Sequence, residues 1–250
     1  MAGDGLSLTL DTRSFDRATA EVQKQLPYAA SVALNNVAFR IRAEQRSAMG
    51  RVFDRPTRLT LNAVLVNKAT KRKGSAQVFI RDEASKGTPP SKYLKPAVFG
   101  STRNEKRFER ALRYAGLLPA GYYVVPGEGA RLNKHGNITA GTYTKILSQV
   151  KASFDPMQNA TGSARSSAKR GGTKGYFVGK VEGTLGVWQR VGYKRRRSVR
   201  PILIFVRNKP DYRKRFPFYK IAEGIFQRHM LRELGKAMER AIATAHRSAR

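Results

Sequence analysis

Three runs of cations are the residues whose type and spacing could do chemistry. They are Arg195, Arg196, Arg197 and Arg200; then Arg213, Lys214 and Arg215; and Lys71, Arg72 and Lys73. Between residues 194 and 215, ten of twenty-two residues are Lys or Arg and only Asp211 opposes them. A guanidinium is a planar, weakly hydrated fork that matches the oxygens of phosphate or carboxylate, so such a run points to a polyanion or an acidic partner. Tyr193, Tyr212, Phe216, Phe218 and Tyr219 flank or interleave with these cations. Aromatics among arginines can stack on bases, but here they read as core residues behind a basic face. No recognition helix, zinc finger or RNA-binding aromatic signature accompanies the runs. Contacts to nucleic acid would therefore go to backbone phosphate, indifferent to sequence and strongly salt-dependent.

Other chemistries find no support. Gly171-Gly172-Thr173-Lys174-Gly175 has the composition of a phosphate-binding loop but not its spacing, and it does not join a strand to a helix. His135, His229 and His246 are scattered, and no Asp or Glu is followed two places later by Lys, as one common nuclease signature requires. Asp82 with Glu83, and Glu105 with Glu109, read as capping or salt-bridging pairs. There is no Gly-x-Ser-x-Gly elbow and no Cys, which excludes disulfides and thiolate zinc sites. The expectation is a chain without catalysis, cofactor or metal.

The cation excess is spread over the whole chain. Residues 1–150 carry 25 Lys and Arg against 11 acids, and residues 151–250 carry 24 against 6. The formal charge over 250 residues is +32. A compact body so charged repels itself, and a polyanion or acidic neighbours would neutralise it. Hydrophobic residues still make up 40% of the chain, enough for a core rather than a disordered tail. No apolar run approaches the roughly 20 residues of a membrane span. The opening Met-Ala-Gly-Asp-Gly lacks the features of a signal peptide.

The elements that would position the cations are set by periodicity. Leu6, Leu8 and Leu10 alternate as a short strand, Ser14 can cap a first helix, and Pro27 suits the first turn of a second one. Ala30, Ala33, Leu34, Val37, Ala38 and Ile41 then define an amphipathic helix ending near Gly50. Residues 51–60 read as a basic connector. Runs 63–69 and 76–81 form a hairpin with Lys71, Arg72, Lys73 and Gly74 at its tip. Residues 84–157 look like an insert with two short helices. A capping box at Thr102 to Glu105 starts the first and Gly116 stops it; Tyr143, Ile146, Leu147 and Val150 mark the second. A loop rich in Gly and Pro runs between them, from Leu118 to Gly141. Residues 158–175 are low in complexity and are expected to be mobile in the isolated chain. Strands at 176–181, 186–191 and 201–206 come next, with Pro201 first in its strand, and a long helix from about Phe218 to Arg247 ends the chain. The fold class expected is α+β, an antiparallel sheet packed on a long N-terminal and a long C-terminal helix with a largely helical insert. The expected division is 1–83, 84–157, 158–175 and 176–250.

Gly186-Val187-Trp188-Gln189-Arg190-Val191, a basic stretch, Arg200-Pro201-Ile202 and a long final helix together resemble the minor tail protein Z family of tailed double-stranded DNA phages. Ala29 to Arg46, with Leu34-Asn35-Asn36, Ala38 and Arg42, is similar to that family's opening helix. The resemblance covers roughly residues 25–82 and 176–247. It implies a non-enzymatic virion protein of the tail or head–tail junction, made in the host cytoplasm. Its partners would be further copies of itself in a ring around the DNA channel, neighbouring tail or neck proteins, and genomic duplex DNA, with no membrane. The resemblance assigns no site residues. The ten cations of the three runs rest on clustering alone. The alternative reading is a free, sequence-neutral nucleic-acid-binding protein acting off the virion.

Overall fold

The computed structural model describes residues 13–85, 87–102, 104–163, 165, 175–193, 196–209 and 211–248. The expected strand at Leu6 to Leu10 and most of the low-complexity stretch lie outside them. The chain forms two units, one of residues 1–53, 58–94 and 216–250, the other of 54–57 and 95–215. The α+β class and both long helices are as expected. The division is not the one drawn from composition: the strands after residue 175 belong with the insert, and the last helix belongs with the N-terminal segment.

In the first unit, α1 (Arg13–Val52) is one continuous helix, with Ser14 in its first turn and Pro27 in its interior. An interior proline removes one intrahelical hydrogen bond. Immediately beyond it, Ala29 and Ala33 pack with Ala237 and Ala241 of α6 (Phe218–Ser248), so tertiary burial holds the segment helical. Farther along α1, Val37 and Ile41 pack on Ile225, and the Gln45 amide donates to the Phe218 carbonyl at 2.7 Å. Each step forward on α1 meets an earlier residue of α6, so the two helices run antiparallel. Strands β1 (Val64–Asn67) and β2 (Gln77–Ile80) form the expected antiparallel hairpin, and Val78 packs on the Val37–Ile41–Ile225 cluster. The supposed connector contains a single-turn helix, α2 (Arg58–Leu61).

Asn35 and Asn36 tie these pieces together. Asn35 exchanges two hydrogen bonds with the backbone of Ala69, at 2.8 and 3.0 Å, fixing the end of the hairpin to α1. Asn36 donates to Glu233 of α6. Helix α3 (Pro90–Phe99), which the sequence pattern does not single out, crosses the boundary between the units.

In the second unit, β4 (Tyr123–Pro126), β7 (Arg196–Val206), β6 (Thr184–Tyr193) and β5 (Tyr176–Val181) form an antiparallel sheet in that spatial order. The β5–β6 turn is Glu182-Gly183, both at positive φ (48° and 79°), as a two-residue hairpin of the type matching strand twist requires. Strand β4 falls where a Gly- and Pro-rich loop was expected. Pro201 does not open β7 but sits inside it, beside a bulge where Val187 pairs with Leu203 and Trp188 with Pro201. A bulge is where a central strand tolerates the missing proline donor. The extra residue, Ile202, lets two consecutive side chains, Ile202 and Leu203, both enter the core.

That core is closed by α4 (Arg107–Tyr114) and α5 (Ala140–Gln149), through Phe108, Leu112 and Ile146. Helix α4 starts one turn later than the predicted capping box. Glu109, fully buried, accepts from the Lys106 amide and from the Val124 amide, each at 2.8 Å, joining the helix start to β4. Glu105 instead bridges Arg113 at 2.7 Å. Gly116 ends the helix at φ 70° as anticipated. Short strands β3 (Ser101–Thr102) and β8 (Asp211–Tyr212) pair with each other.

Candidate nucleic-acid interface

Strands β6 and β7 are longer than their neighbours. Strand β5 stops pairing at Tyr176–Gln189, and β4 stops at Pro126–Leu203. Beyond these, β6 and β7 continue as a two-stranded ribbon, pairing Arg190 with Val199, Val191 with Ser198, Gly192 with Arg197 and Tyr193 with Arg196. At about 3.4 Å per residue the paired part projects roughly 10 Å past the sheet. The first cation run thus lies on the ribbon: Arg200 at its root, and Arg196 and Arg197 at its outer end. Arg195 is outside the described residues.

The root is built by close contacts. A Cβ on Gly186 would lie 2.3 Å from the Leu203 carbonyl, so only glycine allows the strands to approach there. The Trp188 indole N–H donates to the Gly179 carbonyl at 3.0 Å. A strap at Gly127 and Gly129 donates two amides to β7, to the Ile202 and Pro201 carbonyls, each at 2.9 Å. The Arg200 stem lies directly over Gly129, where an added Cβ would fall 1.9 Å from its Cγ. Arg200 is exposed but its stem is fixed. Arg190, also exposed, has its guanidinium 4.3 Å from the centroid of the Phe177 ring. Arg190 joins the cationic ribbon although clustering did not single it out; its pairing position next to Val199 is the signal that places it there.

The second run, Arg213, Lys214 and Arg215, is exposed but does not extend the ribbon. It comes after β8, past the far end of β7, which runs roughly 20 Å from Arg200 to Val206. The Lys214 stem crosses Gly100, and the Arg215 amide donates to the Ala97 carbonyl at 2.9 Å. The third run caps the β1–β2 hairpin in the other unit. Thr70 and Lys73 close its tip with two 2.9 Å hydrogen bonds, leaving Lys71, Arg72 and Lys73 exposed. The nine described cations therefore belong to three different elements: the β6–β7 ribbon, the segment after β8 and the tip of the β1–β2 hairpin.

Two of the flanking aromatics are core residues, as expected. Phe216 (1% exposed) and Phe218 (7%) are buried, and their rings meet Phe53 and Tyr219. Tyr219 is well exposed, at 63%. Arg207 leans on Tyr122, its Nε donating to the phenol oxygen at 2.8 Å.

Among the described residues, four carboxylates are held in ion pairs. Asp54 pairs with Arg55, Glu44 with Arg51, Glu105 with Arg113, and Glu233 with Arg40. Burial works against the Glu233 carboxylate, but the Asn36 amide and the charges of Arg40, Lys236 and Arg232 outweigh it and hold its pKa below the ordinary value. Among the described residues, no group of three or more His, Asp or Glu could hold a metal ion, and no helix is long and apolar enough to cross a membrane. Compared with models of protein families, with curated proteins and with solved structures, the chain matches none.

Proposed function

We propose that this chain is a non-enzymatic phage virion protein, a tail-completion or neck component that assembles as a homo-oligomeric ring around the DNA channel. The observation that carries the reading is the cationic β6–β7 ribbon. Its root is the Gly186 to Val191 block that resembles the minor tail protein Z family, and its outer part carries Arg196 and Arg197. A two-stranded ribbon is slender enough to lie in a DNA groove or along a phosphate backbone. With no zinc finger or reading helix beside it, the contact is to phosphate and is indifferent to sequence.

The charge supports the same reading. A chain at +32 is poorly suited to solitary life at low ionic strength, whereas duplex DNA supplies about one negative charge per 1.7 Å of axis. A closed ring is the common solution for identical subunits around a channel. Neighbouring tail or neck proteins would cover what the DNA does not.

Mass spectrometry and imaging of purified phage particles test this. The expected result is the chain present in the particle, in several copies on one axis at the tail or its junction with the head. A chain absent from particles, monomeric by light scattering and still bound to duplex DNA, would replace this reading with a free nucleic-acid-binding protein.

A further inference from the structure

We infer that α6 carries a second DNA-contacting surface, a ladder of Arg228, Arg232, Lys236 and Arg240 that lies along the phosphate backbone of a duplex. This rests on the DNA-facing reading of the chain but uses none of the residues that led to it.

The four cations recur every fourth residue and all are exposed. At 1.5 Å per residue the rungs stand about 6 Å apart and the ladder runs about 18 Å. Arg232, Lys236 and Arg240 each directly precede a buried residue of the seam with α1: Glu233, Ala237 and Ala241. The rungs therefore track one flank of the seam instead of winding away from it, because residues four apart drift by the same angle as the seam does. The opposite flank is apolar and partly covered, with Leu234, Met238 and Ile242. Arg40 of α1 reaches the same region through Glu233.

One exposed carboxylate of the same helix, Glu239, stands beside Lys236 and Arg240 and leaves the four-rung ladder with a net charge of about +3. Glu233 is buried and already engaged by Asn36 and Arg40. His229 reports the local potential: burial, then Arg232, Arg40 and Arg228, push its pKa below the ordinary value. Rungs about 6 Å apart lie within the Debye length of about 10 Å at moderate salt, so they repel one another and act as one line of charge. Three of the four are Arg, the cation whose fork fits phosphate oxygens. A line of near-uniform cations on a straight rod matches a continuous line of phosphates. A folded acidic protein presents patches and meets such a ladder at fewer points.

The test is a titration of the full chain with a short duplex of arbitrary sequence at several salt concentrations, with poly-glutamate as a second probe. In the variant Arg228→Gln, Arg232→Gln, Lys236→Gln, Arg240→Gln, the plot of log affinity against log salt should become shallower by about 3 to 4, at about 0.9 for each phosphate no longer neutralised. The charge-preserving variant Arg228→Lys, Arg232→Lys, Arg240→Lys should keep the native slope. All these side chains are exposed, so both variants should show the native circular dichroism; should the quadruple variant not fold, each single Gln variant is expected to lower the slope by about 0.9. An unchanged slope in folded Gln variants, with steep binding by the native chain, overturns the ladder and leaves the ribbon standing. Native protein with no salt-dependent duplex binding defeats the DNA-facing reading and the ladder together. Loss of poly-glutamate binding with the duplex slope intact assigns the ladder to an acidic protein and overturns its assignment to DNA.

Discussion

Asn36 donates its side-chain amide to the buried carboxylate of Glu233 at 3.1 Å, and Arg40, one turn along α1, reaches the other carboxylate oxygen at 3.2 Å. The pair fixes the register of the two long helices in a stretch where the fully buried apolar residues of the seam are alanines, Ala29 and Ala33 against Ala237 and Ala241, with Val32, Leu234 and Met238 only partly buried beside them. Small residues allow close approach but specify register weakly. A buried charge with two donors specifies it strongly, because sliding one helix along the other would leave the carboxylate unpaired.

Asn36→Ala should therefore destabilise the fold by about 1–3 kcal/mol, the cost of leaving a buried acceptor short of a donor. Urea unfolding monitored by circular dichroism measures this. The carboxylate is held below its ordinary pKa, so its contribution is complete above the unfolded-state value and disappears as pH falls through the lower folded-state value. The Asn36→Ala penalty should be largest at neutral pH and shrink in acid. A penalty independent of pH would mean that Asn36 acts by packing alone.

Glu109 gives a sharper case. It is completely buried and accepts the amides of Lys106 and Val124. Glu109→Ala orphans two backbone donors and should cost about 3 kcal/mol or more. Hydrogen exchange should show the Val124 amide losing protection before the β6–β7 pairs do. If Val124 stays protected, the α4–β4 junction is held by its apolar contacts instead.

Much of this fold is legible from residue types and spacing. The hairpin at 64–80, the α5 face and the final helix arise from periodicities that their own residues satisfy. Glu105 and Glu109 read as capping or bridging groups from sequence, and the structure reverses which one caps. The differences share a cause: long-range burial overrides local preference. Pro27 marks a helix start locally, yet alanines more than 200 residues away hold the helix through it. Pro201 marks a strand start, yet a bulge in β6–β7 accommodates it. Strand β4 has only four residues among glycines and prolines, and its identity depends on Val124 meeting Phe205 across the sheet. For the interface, sequence density finds the three cation runs but not the separation of the two in the second unit, which only strand length and register reveal. The ladder on α6 is an every-fourth-residue pattern in the sequence, diluted by the apolar residues between its rungs.

Gly186 and Gly183 separate two reasons for glycine. At Gly183 the constraint is φ, with open space around it; at Gly186 it is the Leu203 carbonyl 2.3 Å from any added Cβ. Gly183→Ala should cost about 1–2 kcal/mol, the penalty of a left-handed residue. Gly186→Ala should cost more, about 3 kcal/mol, since neighbouring backbone on a central strand cannot give way. Thermal melts of the two variants, each compared with the native chain, decide the order. Equal penalties would show that β6 shifts to relieve the clash, and the ribbon rooted there would then be displaced.

In the second unit one cation run lies on the first half of β7, at Arg196, Arg197 and Arg200, and the other follows β8, past the far end of β7, and that separation has a measurable consequence. If both touch phosphate, neutralising Arg195, Arg196, Arg197 and Arg200 should lower the salt slope of duplex binding by about 3 to 4, and neutralising Arg213, Lys214 and Arg215 by about 2 to 3. Sites this far apart should combine additively. The seven-residue variant is then expected to show the sum of the two decreases. A ribbon variant that abolishes the whole slope while the Arg213 to Arg215 variant changes nothing would leave the ribbon as the DNA-binding element and the second run as a solvated face. The reverse result would place DNA past the far end of β7 and remove the ribbon from the interface. Charge repulsion within each run is relieved by the same substitutions, so thermal stability at low salt should rise in the variants even as DNA affinity falls. That opposite movement separates a weakened interface from a disrupted fold.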